Sequence, residues 1–188
     1  MKDFAETPSA AQAGAERAVA ELWTELHPPL IRFLRGLHPS FAEDMESATW
    51  IRIAGGLRRF EDTESDFRAW AFTIARNRLI DWCRRDRRRA STPVEIDELA
   101  ALPGSDDSAA AAEEELGLEA SLELIRTLPP DQGEVILLRV LGGLDVARVA
   151  RMVGKRPGTV RVLQHQGLRR LAEQIEAPIE LEAEPVAP

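Results

Sequence analysis

An all-helical protein, built as two small modules on a flexible acidic linker, is predicted by three features of the sequence. Ala, Leu, Arg and Glu dominate, and strand-like alternation is nearly absent. Apolar residues recur at helical spacing through several segments. Between two groups of such segments lies a stretch, 91–116, with Pro93, Pro103, Gly104, eight carboxylates and no basic residue. The division expected is 10–90 for the first module, 91–116 for the linker, 117–176 for the second module and 177–188 for a disordered tail.

In chain order, residues 12–26 predict a first helix, ended by His27-Pro28-Pro29, because proline lacks an amide donor and its ring crowds the preceding turn. Pro29 suits the first turn of another helix reaching about Leu37. Ser40 and Glu43 have capping-box spacing and open a helix to about Arg59, weakened by Gly55-Gly56. Phe60 to Asp66 reads as a polar loop, with Asp66 as the cap of the next helix. There Phe67, Trp70, Ala71, Ile74, Ala75, Leu79 and Trp82 fall on one buried stripe, so both tryptophans read as core and not as base-stacking groups. Arg68, Arg76, Asn77, Arg78 and Asp81 lie mostly on the other faces, and the helix ends in an arginine run over Arg84 to Arg89. After the linker, helices are expected over about 117–127 and 131–142, followed by two more.

Several function classes are disfavoured. No run of 18 apolar residues could span a bilayer, and Met1 to Ala20 lacks the basic start and apolar stretch of a secretory signal. Cys83 is the only cysteine, and His27, His38 and His165 are scattered, without H-E-x-x-H or C-x-x-C spacing. No nucleophile–base pair or phosphate-cradling loop is visible. No catalytic residue, metal or cofactor is expected. A cytoplasmic protein that does not enter the membrane is.

The net charge of −8 argues at first against nucleic acid, whose phosphates call for Lys and Arg. Its distribution argues the other way. Arg68 to Arg89 carries +6 and Arg139 to Arg170 carries +7, leaving −21 for the rest of the chain. With a Debye length of about 8 Å at physiological ionic strength, the local charge is what a duplex meets.

The second basic island has helix-turn-helix grammar. Leu144 to Gly154 is a short amphipathic helix ending in glycine, Lys155-Arg156-Pro157 a tight connection, and Gly158 to Ile175 a second helix with Pro157 near its first position. Val146, Val149, Ala150 and Val153 are expected to share a core with Val160, Leu163 and Leu168. Thr159, Arg161, Val162 and His165 are the positions expected to face a major groove, with Arg161 able to offer two donors to a guanine edge. Lys155, Arg156, Arg169 and Arg170 read as phosphate contacts. A plain helical hairpin with a solvated arginine face is the alternative for this segment. For the first island, an arginine-rich helix end favoured by the helix dipole is an equally good reading of the charge alone.

Longer segments resemble a known family. Phe67-Arg68-Ala69-Trp70-Ala71-Phe72-Thr73-Ile74-Ala75-Arg76-Asn77-Arg78-Leu79-Ile80-Asp81 looks like the helix with which ECF (extracytoplasmic function) sigma factors read the minus-ten promoter element. Ala42-Glu43-Asp44-Met45 resembles the start of the family's polymerase-docking helix. Leu128-Pro129-Pro130-Asp131-Gln132, Val135 to Arg139 and Gly158 to Val162 are similar to the module that reads the minus-thirty-five element. The likeness covers about 15–89 and 118–173, in family order.

The resemblance implies a subunit that binds core RNA polymerase and directs it to promoter DNA. It places polymerase docking at Glu43, Asp44, Ser47, Trp50 and Arg52. Minus-ten contact falls to Arg68, Arg76, Asn77 and Arg84, with Asp62 and Thr63 in the preceding loop, where the family captures a flipped base. The linker would thread the polymerase's basic channels, and an anti-sigma factor is the inhibitor expected of the family. Ser47-Ala48 stands where Gln-Glu is typical, and Gln166 where an arginine is usual. A sigma-like DNA-binding regulator that does not program polymerase is the alternative to a sigma factor.

Overall fold

The computed structural model describes residues 16–60, 64–90 and 109–176. Among these residues the fold is all-helical, with seven α-helices: α1 (Glu16–Leu37), α2 (Ala42–Leu57), α3 (Glu64–Ala90), α4 (Ala109–Arg126), α5 (Pro130–Val140), α6 (Val146–Val153) and α7 (Pro157–Glu176). A 3-10 turn, Pro39–Phe41, joins α1 to α2. The first three helices form one module and the last four another. The expected tail, 177–188, and linker residues 91–108 lie outside the described residues.

The largest departure from the sequence reading is α1, a single helix running through Pro28 and Pro29 where two were expected. An internal proline costs about 3 kcal/mol in helix stability. Against this, Leu22, Leu26, Leu30, Phe33 and Leu34 form an uninterrupted stripe, all at most 2% exposed. Each buried side chain of this size contributes roughly 1.5–3 kcal/mol. Breaking the helix at Pro28 would split that stripe, so packing overrides the local signal.

The capping box does not form. Pro39 draws Ser40 into the 3-10 turn, and α2 starts after Phe41 without a side-chain cap. Aromatic packing fixes this corner instead, with Phe41 and His38 against Trp82 at ring separations of 3.9 and 4.9 Å. Helix α2 passes through Gly55-Gly56, and Gly56 is where Trp70 packs: a β-carbon there would meet the indole at 2.7 Å.

On α3 the expected stripe is realised by Phe67, Ala71, Ala75 and Leu79, all buried, with Trp70, Ile74 and Trp82 half-buried. Phe72, outside that stripe, is fully buried and meets Phe33 edge-on at 5.3 Å. The helix starts at Glu64, so Asp66 lies inside its first turn and is not the cap. Helix α4 likewise begins at Ala109, inside the expected linker. Ala109 to Ala112 and Glu113 to Glu115 are strong helix formers uninterrupted by proline.

The apolar core is continuous between modules. Leu34, Phe33 and Phe72 from the first belong to the same buried cluster as Leu122, Val135, Leu137 and Leu138 from the second. The two modules pack against each other in one body.

Candidate nucleic-acid and polymerase interface

The helix-turn-helix is built as its sequence requires. Asp145 caps α6 by accepting a 2.8 Å hydrogen bond from the Arg148 amide. That amide, and then the Arg148 guanidinium, hold the Asp145 carboxyl below its ordinary value. Gly154 ends α6 in the left-handed region, φ 68°, where a side chain would be strained. The Lys155 amide turns back to the Ala150 carbonyl at 3.0 Å. Val149, Ala150 and Val160 close the core of the pair, with Val146, Val153 and Leu163 half-buried around it.

Leu168, expected in this core, is 46% exposed. Its neighbour Gly167 takes the inward position, where a β-carbon would meet Ile136 at 2.6 Å. The spacing Val160, Leu163, Gly167 keeps the helical period, but a glycine carries no apolar signal in sequence.

With that side of α7 fixed, Thr159, Arg161, Val162, His165 and Arg169 are all solvent-exposed, as is Arg156 at the turn. They present an open surface with three arginines, two of them on a helix, the element a major groove admits. Arg169 is held by Glu173 at 2.8 Å, beside a shallow groove lined by His165, Gln166 and Arg170. Lys155 is not free: it pairs with Asp131 at 2.8 Å. Gln166 accepts a 3.3 Å hydrogen bond from Gln132.

The docking positions Glu43, Asp44, Ser47 and Arg52 are exposed along α2, while Trp50 is half-buried. Its ring lies 4.7 Å from Trp23, which stacks on His27 at 4.5 Å. Beneath them Glu46, 6% exposed, accepts from the Trp50 indole and lies 2.7 Å from His27 Nδ1. Sequence reasoning passed over this Trp23–His27–Glu46–Trp50 cluster and the exposed Ile51 beside it. The pairs Trp23/His27 and Glu46/Trp50 are each four residues apart on a helix, which is the signal that could have found them.

The minus-ten positions are divided. Asn77 and Arg84 are exposed and Arg68 is half-buried, whereas Asp62 and Thr63 lie outside the described residues. Arg76, expected on an outer face, is turned into the second module. Its Nε and Nη2 donate to the Glu134 carboxylate at 2.7 and 3.2 Å, and its Nη1 to the Met152 carbonyl at 3.1 Å.

Comparison with known proteins follows the same two-module plan. The Sigma-70 region 2 family matches residues 22–89, and the Sigma-70, region 4 family residues 118–171. The ECF RNA polymerase sigma factor ShbA of Streptomyces griseus is 33% identical over 84% of this chain and 87% of its own length. This chain belongs to the ECF sigma factor family. The ECF sigma factor BldN of Streptomyces coelicolor is 34% identical over 86% of the chain, which spans 62% of that longer relative. Among solved structures, the sigma factor RpoE of Bartonella quintana, in complex with the anti-sigma factor NepR, is similar with a TM-score of 0.65 and 25% identity. That likeness covers 85% of this chain and 97% of RpoE.

Proposed function

We propose that this sigma factor works by binding energy alone, through three surfaces with separate tasks. It binds core RNA polymerase and directs promoter-specific initiation. Docking falls to the exposed face of α2, with Glu43, Asp44, Ser47 and Arg52 around the Trp50 cluster. Helix α7 reads the upstream element: Arg161, Thr159, Val162 and His165 meet base edges, and Lys155, Arg156 and Arg169 hold phosphates. Helix α3 and the loop before it, through Asp62, Thr63, Arg68, Arg76, Asn77 and Arg84, take the minus-ten element. No bond is made or broken by this chain, so it is not an enzyme. It acts in the cytoplasm, with polymerase and chromosome, and no described helix is long and apolar enough to cross a membrane. The likeness to an anti-sigma-bound sigma factor supports a partner of that kind here too.

The observation that carries this reading is the exposed face of α7, an outward row of Thr159, Arg161, His165 and Arg169, with Arg156 at the turn before it, on a helix locked from behind by Val160 and Gly167. Co-elution with core polymerase in gel filtration, followed by run-off transcription, tests it. A complex that initiates at a minority of promoters is expected. Failure to associate with intact core would leave only a DNA-binding regulator.

A further inference from the structure

Glu46 is the only buried carboxylate among the described residues, at 6% exposure, and the tasks given to α2 make no use of it. Its Oε1 accepts from the Trp50 indole and lies 2.7 Å from His27 Nδ1. Trp23 spans the pair, its ring 4.5 Å from His27 and 4.7 Å from Trp50. One oxygen thus ties a side chain of α1 to a side chain of α2.

Stability does not call for an acid at this position. Taking a carboxylate out of water is offset only where its partners are well placed, and an apolar side chain of similar volume is often as stable or more so. What the acid supplies is direction. An indole has one N–H donor and no acceptor, so a fixed carboxylate oxygen sets the orientation of the Trp50 ring.

The ring so held stands beside an apolar patch. Among the described residues of the first module, the large apolar side chains left exposed are Val19, Trp23 and Ile51. Val19 is one turn before Trp23 on α1, and Ile51 follows Trp50 on α2. The docking positions Glu43 and Ser47 lie seven and three residues before Trp50, on the same edge of α2. The patch continues the docking face onto α1.

We propose that Glu46 is a positioning residue for polymerase docking: through the Trp50 indole and His27 it presets an aromatic ledge, Trp23 and Trp50 with Val19 and Ile51 beside it, that receives an apolar segment of core RNA polymerase. The inference rests on the assignment of docking to α2. Side chains already ordered lose less freedom on binding, so a preset ledge raises affinity without adding a contact.

The test uses the full chain and intact core polymerase, with affinity read by competition against fluorescently labelled parent. Glu46→Met keeps the side-chain length and removes the acceptor. It should melt no lower than the parent yet bind core about tenfold more weakly. Glu46→Gln retains an oxygen for the indole and an N–H for His27, and should bind within about twofold of the parent. Trp50→Phe keeps a ring without the donor; it should lose as much as Glu46→Met, and the double variant no more than either. Trp23→Ala should also weaken core binding about tenfold. A random-sequence duplex probe should bind all of them alike. If Glu46→Met loses helix by circular dichroism, Trp50→Phe and Trp23→Ala carry the test.

Full core affinity in Glu46→Met or Trp50→Phe, a loss in Glu46→Gln as large as in Glu46→Met, or additive losses in the double variant would overturn positioning through Trp50. Full affinity in Trp23→Ala would overturn the ledge. So would a dimer of the free chain in sedimentation that Trp23→Ala dissolves, which assigns the patch to a second copy. Ser47→Arg separates the underlying reading. If it leaves core binding intact, α2 is not the docking face and the inference falls with it; if it abolishes binding while Glu46→Met does not weaken it, only the positioning role fails.

Discussion

Two glycines flank the turn of the helix-turn-helix, and the structure assigns them opposite responses to the same substitution. A β-carbon at Gly154 or at Gly158 would meet no atom within 4 Å, so packing does not distinguish them. Backbone conformation does. Gly154 has φ 68° and ψ 31°, and an L-residue held there costs roughly 1–2 kcal/mol. Gly158 lies in the first turn of α7, where alanine restricts the unfolded chain and favours the helix by about 0.4–1 kcal/mol. Gly154→Ala should destabilise and Gly158→Ala stabilise, separating the pair by roughly 1.4–3 kcal/mol. For a chain of this size 1 kcal/mol moves the midpoint by about 2–4 °C, so their melting temperatures should differ by roughly 3–12 °C. Thermal unfolding followed by circular dichroism at 222 nm measures this. Equal midpoints, or Gly154→Ala the more stable of the two, would refute the claim that a left-handed residue sets the exit of α6.

Arg161→Ala should cost about 1–3 kcal/mol at one upstream base position and relax the preference there, measured by competition among duplexes varied at single positions. A uniform loss over all sequences would reassign Arg161 to phosphate. Asp145 supplies a pH dependence: because its folded-state value is depressed below 3.8, its contribution is present above that pH and fades as pH falls through the folded value. Asp145→Asn keeps an acceptor for the Arg148 amide but loses the charge. The stability gap between parent and variant in urea titrations should therefore narrow on acidification below about pH 4, and a gap constant down to pH 2 would contradict the assignment.

The contrast between what was and was not legible in the sequence is physical. The second module could be read closely, because Gly154 and Pro157 each set backbone conformation by their own chemistry, although Asp145, expected inside a helix from Leu144, is the cap of one that starts at Val146. The first module could not be read at the same depth. Pro28-Pro29 says stop, but the decision belongs to a stripe of four leucines and Phe33 on a helix that packs against four others. Ser40 and Asp66 have the right chemistry to cap, but Pro39 takes Ser40 into a 3-10 turn and the helix at Asp66 begins two residues earlier, at Glu64. Gly167 and Gly36 are invisible to hydrophobic patterning, yet both are filled by side chains of neighbouring helices, Ile136 against the first and Leu137 and Leu122 against the second.

Arg76 is the instructive case for the site. Its place on α3, off the main apolar stripe, correctly made it a polar-face residue, but a polar face is defined only by what stands opposite it. In an isolated module that would be water or DNA; here it is Glu134, 58 positions away in sequence. Periodicity cannot foresee such a partner, since it describes one helix at a time. Charge could have hinted at it: Asp131 and Glu134 are the two carboxylates of α5, and both are engaged with cations, Lys155 and Arg76. Acidic residues next to a basic DNA-binding surface weaken binding unless they are neutralised within the protein. Of the two pairs only Arg76–Glu134 crosses between the modules, since Lys155 and Asp131 both belong to the second.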